Sequence, residues 1–533
     1  MNRGLSAWLV LLGIACAVYA PLFGGFWIGD DFSNLHLAWL HAARSELASA
    51  MLGFFGASLT PEGAFYRPLS IASLYLNFPL AGTHYAGWFA VNLGVHLGCM
   101  VMVGMLVLRL AARCRVEGSI GALLAAALFG LAPAPAEAVY WVSARADGWV
   151  TLLTLAGAVA WVGREPGPGA RAAWLPVLLL PAVLFKESAL VAPLQYALLA
   201  LAWPGRLQPG QRVALAMALL MMAGVLVARA VWFGDPWVVY RDVGASGVGG
   251  PAVLPSALAS FAPWWGALAG ADVAAQAWLV LGALACAAVA LANRGRGALP
   301  RMVLALACAA GGMLLATLLN LRGMPGGGEG GRVLLNPMAW LAVALGLGVA
   351  GAQRGRNALV ALAAASAIAG ALALHGIVTR TLAAQDEVRA IATAIPDWAA
   401  RHPGLTLLLL PERLGAVVAT NNAQGGLVLP PVQAASYIDR VLPTLPREVA
   451  DRHARFANGL ATQLRTLHPA AVDAAMLAAF LQPAAAAWPA HAACWSVQRR
   501  AIVPMPLPPI ADAASWTSAL AASAAACGIT GVR

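Results

Sequence analysis

Between Leu5 and Ile377 the chain is a series of apolar runs separated by short polar breaks, and that pattern leaves few folds open. A helix needs about 20 apolar residues to cross a hydrocarbon core about 30 Å thick. In lipid every backbone N–H and C=O must be satisfied within the protein, so only helices and closed barrels span. Barrel strands alternate apolar and polar residues, and these runs do not. Only 10% of the residues are charged, where a soluble domain carries about a quarter. The pattern predicts an all-α polytopic membrane protein.

Spans are expected at 5–23, 88–108, 120–131, 149–162, 213–232, a stretch ending near Asn293, 303–319, 333–350 and 359–377. The run 174–203 is interrupted by Phe185-Lys186-Glu187-Ser188 and reads either as one span or as a hairpin of two. Cytoplasmic loops carry an excess of arginine and lysine. A hairpin puts Arg206 and Arg212, Arg294, Arg296 and Arg301, and Arg354 and Arg356 on the side of Arg109, Arg113 and Arg115. A single span puts them opposite, so the hairpin is the expectation, giving about eleven transmembrane helices. The first helix is read as uncleaved, with the N-terminus cytoplasmic, in a bacterial inner membrane. Residues 1–378 then form a transmembrane catalytic domain and 379–533 a small periplasmic domain of uncertain fold. That tail has helical stretches at 386–400 and 447–467, one strand-like run at 405–410, and expected disorder beyond Pro483.

The net charge of +11 does not indicate nucleic acid, because most arginines outside the last third sit in loop clusters between spans. The partner it implies is the lipid bilayer. The seven cysteines contain no CxxC and no metal-site spacing. Cys494 and Cys527 lie in the polar tail and pair if that tail is periplasmic.

The chemistry gathers on one expected face. Asp30 and Asp31 follow the first span, in Trp27-Ile28-Gly29-Asp30-Asp31-Phe32. Tyr66, Arg67, Glu137, Arg145, Asp147, Lys186, Glu187 and Arg332 fall on the same side. Ionisable groups at membrane depth are costly unless paired or facing water, and they mark functional sites by default. A carboxylate there can take a proton from an acceptor hydroxyl, and a cation can stabilise a departing phosphate. Lys186 is the one lysine among 33 basic residues, a compact point charge in an arginine-biased chain. Structural readings stand beside these. Asp30 and Asp31 cap the helix beginning near Phe32, Arg145 and Asp147 cap the next span, and Lys186 pairs with Glu187 or Asp147. Tyr66 and Arg67 anchor an interfacial turn. Asn92 and His96, four apart, read as a polar pair holding helices together. The glycine-rich stretch ending at Gly331 lacks a phosphate-loop pattern and reads as a flexible loop.

Taken together, these motifs resemble the GT-C class of polytopic glycosyltransferases, nearest to the branch of protein O-mannosyltransferases and their tetratricopeptide-bearing relatives. The matching pieces are Gly29-Asp30-Asp31-Phe32, Tyr66-Arg67-Pro68-Leu69, Asn92 through His96, Pro133 through Asp147 and Phe185-Lys186-Glu187-Ser188. Arg332 stands where the class has a later Arg-Tyr-Leu element, here without the aromatic. The tetratricopeptide tail is absent. The resemblance implies a catalytic base at Asp30 or Asp31 and a polyprenyl-phosphate sugar donor bound at the outer leaflet. Sugar and acceptor stay open, the acceptor being a glycan, a lipid or a protein. Some members need a divalent cation beside the acidic pair; Asp30 and Asp31 are compatible with Mg²⁺ or Mn²⁺ without demanding either. The rival reading is a transporter or lipid flippase for glycan precursors, which predicts internal repeats and broken helices in matching halves. Neither is found in the sequence.

Overall fold

The computed structural model describes residues 3–56, 66–163, 174–233, 297–320, 331–353, 355–415, 417–418, 420, 424–446, 449, 489–506 and 513–529. The expected span ending near Asn293, the polar loop at 233–250 beyond Phe233, most of the glycine-rich loop at 322–332 and the helical stretch at 447–467 lie outside them, apart from Val449.

Helix α1 (Arg3–Tyr19) is apolar beyond Arg3 and Ser6 and leads into a 3-10 turn at Ala20–Gly24, with Pro21 in its first turn. Four short helices follow: α2 (Asp31–Ala43), α3 (Leu47–Gly53), α4 (Pro68–Tyr75) and α5 (Asn77–Ala81). Helices α2 and α3 are separated where Ser45 takes a positive φ of 59°. Pro68 starts α4, a position where its missing N–H costs nothing. Helix α6 (Tyr85–Arg113) is the first long span of the bundle proper. After α7 (Ser119–Gly130) the hinge carries a single helical turn, α8 (Glu137–Tyr140), and leads into α9 (Arg145–Val162).

The hairpin is present. Helix α10 (Trp174–Phe185) brings Phe185 onto Trp149 at the start of α9, ring centroids 5.3 Å apart. Helix α11 (Ala192–Leu201) then returns, so that Trp203 meets Trp161 at the far end of α9, 5.2 Å away. Both halves therefore run antiparallel to each other beside α9, with Lys186 and Glu187 at the Asp147 end. Next come α12 (Pro209–Phe233), α13 (Leu299–Asn320) and α14 (Leu335–Gly351). Helices α7 and α14 touch through glycine: a Cβ on Gly121 would lie 2.2 Å from the Gly346 carbonyl oxygen. Such small-residue contacts let helix backbones approach where no hydrophobic drive separates protein from lipid.

Among the described residues four helices are long and apolar enough to cross a membrane, Gly4–Gly24, Tyr85–Arg113, Pro209–Val231 and Arg356–Arg401, and five more are shorter apolar helices. Each expected span outside 234–296 has a helix at its place. The last of these differs in extent. Helix α15 (Arg356–Arg401) has 46 residues, about 69 Å at 1.5 Å per residue. It does not end near Ile377, and it absorbs the helical stretch expected at 386–400. Its continuation is held by Val378, Val388, Ile391 and Ile395, all buried in one apolar cluster that also holds Trp27, Phe32 and Trp495.

The tail forms a four-stranded sheet in the order β4-β1-β5-β6, with a two-stranded ribbon, β2 and β3, apart from it. Strand β1 (Thr406–Leu409) is the expected strand-like run. The ribbon is β2 (Arg413–Leu414) with β3 (Val417–Val418). Strand β4 (Val441–Thr444) and β5 (His491–Ser496) flank β1 in parallel, and β6 (Ala501–Met505) closes antiparallel on β5. Helix α16 (Ala513–Ala525) seats Trp516 and Leu520 on Leu407 and Leu409. Cys494 and Cys527 form a disulfide. Beyond Pro483, where partial disorder is expected, 489–506 and 513–529 are ordered by sheet pairing, a helix and a disulfide.

Candidate functional site

The hinge from Glu137 to Asp147 is the hub of the site. Its residues are tied to five other segments that are remote in sequence, around Asp31, Ser73, Trp88, Lys186 and Arg332.

Ser143 in the hinge holds the acidic pair. Its N–H and O–H both donate to Asp31 Oδ1, at 2.8 and 2.7 Å. Asp31 Oδ2 accepts the Ile28 N–H at 3.3 Å. Asn34, one turn into α2, donates to Ser143 Oγ at 2.9 Å and to the Asp30 carbonyl at 3.1 Å. Asp31 is 1% exposed, and Asp30 is half-buried. Burial pushes the Asp31 carboxyl up to about 7, against the lowering effect of the Ser143 and Ile28 hydrogen bonds. Gly29 makes the turn before the pair. Its φ is +53°, and a Cβ there would lie 3.2 Å from the Trp141 ring. Both facts call for glycine.

Glu137 binds residue 332 twice. Oε1 accepts from Arg332 Nη1 at 3.1 Å, and Oε2 accepts the Arg332 backbone N–H at 3.0 Å. The Arg332 guanidinium lies over the Trp141 ring, 4.3 Å from its centroid. Asp147 binds Lys186 with both oxygens, 2.7 and 2.9 Å from Nζ. Next to Lys186, Glu187 takes Arg67 in a two-pronged pair, Nε to Oε2 at 2.9 Å and Nη2 to Oε1. Tyr66 donates to the Phe55 carbonyl at 3.0 Å.

All ten residues expected from the sequence therefore lie in or next to segments that this hinge and the hairpin tip tie together. Their roles differ. Arg145 is buried and donates to the carbonyls of Ser73 at 3.0 Å, Trp88 at 3.3 Å and Val142 at 3.4 Å. Those bonds fix the first loop and α6 to the hinge. Lys186 and Asp147 have side chains 10% exposed each, while Arg67 is 16% and Arg332 26% exposed. The two arginines are thus the more exposed of these three cations.

Asn92 and His96 are helix ties. Asn92 Nδ2 donates to the Trp141 carbonyl at 3.1 Å, and His96 Nε2 lies 3.1 Å from the Gly130 carbonyl. The sequence reading did not single out Ser143 or Asn34. Their signal was position, inside the hinge motif and one turn after the acidic pair.

Among the described residues no group of three or more His, Cys, Asp or Glu side chains could hold a metal ion. The Asp31 carboxylate accepts three hydrogen bonds, two on Oδ1 and one on Oδ2.

The tail reaches the same place. The 3-10 turn at Gln424–Val428 packs on α2, where a Cβ on Gly426 would lie 2.7 Å from Phe32 Cβ and 3.0 Å from the Phe32 backbone. His36 Nδ1 hydrogen-bonds the Pro430 carbonyl.

No protein-family model and no curated protein sequence matches the chain. Three solved structures are similar to it at low identity. ArnT from Cupriavidus metallidurans in the apo state is 14% identical with a TM-score of 0.44, over 86% of this chain and 92% of that one. The oligosaccharyltransferase AglB from Archaeoglobus fulgidus, in complex with an inhibitory peptide and a dolichol-phosphate, is 12% identical with a TM-score of 0.45, over 77% and 62%. The arabinofuranosyltransferase AftD from Mycobacteria is 15% identical with a TM-score of 0.44, over 86% and 34%.

Proposed function

We propose that the chain is a GT-C-type membrane glycosyltransferase that moves a sugar from a polyprenyl-phosphate donor to an acceptor hydroxyl at the outer face of a bacterial inner membrane. The observation that carries this reading is the hub itself. One short hinge ties together an acidic pair, two buried or half-buried ion pairs and a cation, all at one end of an apolar bundle. Dispersed carboxylates and cations converging there fit a reaction that needs a base and an anionic leaving group.

In this mechanism Asp30 is the base. Asp30 is the more exposed residue of the two, and Asp31 gives its oxygens to Ser143 and Ile28. Asp30 takes the acceptor O–H proton as the acceptor oxygen forms a bond to the anomeric carbon. The bond from that carbon to the phosphate oxygen breaks, and the electron pair leaves with the phosphate. A single displacement inverts the anomeric centre. Arg67 and Arg332 take the developing charge, because a guanidinium fork matches phosphate oxygens two at a time. Lys186, Asp147 and Arg145 hold the frame. The donor's apolar tail lies among the membrane helices, and residues 379–533 stand on the outer side with the site.

The test is a panel of polyprenyl-phosphate sugars given to the purified full chain, with sugar transfer and donor hydrolysis both measured. Turnover that disappears in Asp30→Asn supports the reading. A folded protein that neither binds nor turns over any donor overturns it.

A further inference from the structure

The Glu137–Arg332 contact is more than an ion pair. One residue supplies both donors, its own backbone N–H and its guanidinium, and the two oxygens of one carboxylate take one donor each. That N–H belongs to the turn Gly331–Leu334, which runs straight into α14. The first N–H groups of such a run have no helical acceptor and point toward an anion. Residue 332 is therefore a two-point anion cradle, and the anion now seated in it is the chain's own. The geometry is the one a phosphate takes from an arginine and a helix start. The partners differ in access. Glu137 is 4% exposed on its side chain and Arg332 26%, so the cradle opens outward and its present occupant reaches it from within. Trp141 forms the floor under the guanidinium, and its indole nitrogen is buried without a hydrogen-bond partner.

Resting on the donor reading above, we propose that Glu137 is the resting occupant of an anion cradle at Arg332, and that the phosphate of a lipid-linked donor takes the cradle over by displacing the Glu137 carboxylate. Glu137 thereby sets donor affinity. It keeps the cradle neutral and shut to weaker anions when no donor is present, because an entering anion must outbind a carboxylate already held at two points. No covalent step is involved.

The experiment measures binding of a polyprenyl monophosphate to the detergent-purified full chain by titration, with inorganic phosphate and phosphatidylglycerol vesicles as parallel arms. Glu137→Gln removes the competing charge and keeps the shape, and it tightens polyprenyl monophosphate binding by about tenfold. The gain vanishes in an Arg332→Gln background, which removes the cation of the cradle. Glu137→Asp shortens the reach by one methylene and gives a smaller gain, which keeps the test usable if the amide variant does not fold. A gain confined to inorganic phosphate or to phosphatidylglycerol overturns the assignment of the cradle to the donor. If the wild type binds polyprenyl monophosphate and Glu137→Gln binds it equally or more weakly, the exchange is overturned while the transferase reading stands. If the wild type binds no polyprenyl monophosphate and turns over no donor, both fall.

Discussion

Ser143 gives two hydrogen bonds to one oxygen of Asp31, from its backbone N–H at 2.8 Å and from its hydroxyl at 2.7 Å. The hydroxyl also accepts from Asn34 Nδ2 at 2.9 Å. Through this contact the hinge sets the orientation of the acidic loop. Ser143→Ala keeps the N–H bond and removes the hydroxyl, leaving a buried carboxylate short of one donor. The expected cost is about 1–3 kcal/mol of stability, read as a lowered unfolding midpoint in detergent. Ser143→Thr, which keeps the hydroxyl, restores most of it.

The Asp31 carboxyl should impose a pH dependence on stability. Burial raises its value from an ordinary 3.8 to about 7. A carboxyl with a raised value binds its proton more tightly folded than unfolded. Its stabilising contribution is thus complete below about 4 and is lost as pH rises through about 7. The full swing is on the order of 4 kcal/mol. Asp31→Asn, which cannot ionise, flattens the stability profile between about pH 4 and 8. An unchanged slope in that variant assigns the dependence to another group.

Lys186 and Asp147 are nearly buried and hold each other at two points. Removing one partner strands a charge, so Lys186→Met costs about 3–5 kcal/mol. The double change Lys186→Met with Asp147→Leu removes both charges and recovers much of that loss. A double-mutant cycle on unfolding free energy checks it, and additive losses count against a coupled pair.

Gly29 occupies a left-handed turn with φ +53° against the Trp141 ring. Gly29→Ala asks an L-residue to hold that φ, which costs about 1–2 kcal/mol. It also asks the indole to shift beneath Arg332. Stability and turnover fall together, and Gly82→Ala, also at positive φ but with open space around it, lowers stability alone.

What was legible in the sequence follows a physical division. The bundle could be read because apolar length and arginine placement are properties of the chain itself; the break at Lys186-Glu187 became a hairpin on charge counting, and Phe185 beside Trp149 bears this out. The ten site residues could be collected because charge is rare in such a chain. Most of their partners could not. Lys186 had two candidates, Glu187 and Asp147, and the structure takes Asp147. Nothing local says that Glu187 meets Arg67, or that Arg145 spends its donors on carbonyls of Ser73 and Trp88. Those choices belong to tertiary geometry. The extent of α15 was missed for a different reason. Thr379 and Arg380 look like the polar end of a span, whereas the stripe Val378, Val388, Ile391 and Ile395 continues the helix into a second core.

That second core gives the tail a part in the site. Residues 424–428 and Pro430 lie directly on Phe32 and His36, the neighbours of Asp31 on α2. Gly426 has no room for a side chain, since a Cβ would meet the Phe32 backbone at 3.0 Å. Gly426→Val therefore pushes α2, and with it the acidic pair, away from Ser143. Because Arg67 and Arg332 lie on other segments, donor binding should persist while turnover falls by about 100-fold, the scale set by a displacement near 1 Å at a reacting group. The measurement is a split between donor affinity and single-turnover rate in the folded variant. Equal loss of both, or loss of neither, shows that the tail does not position the acidic pair.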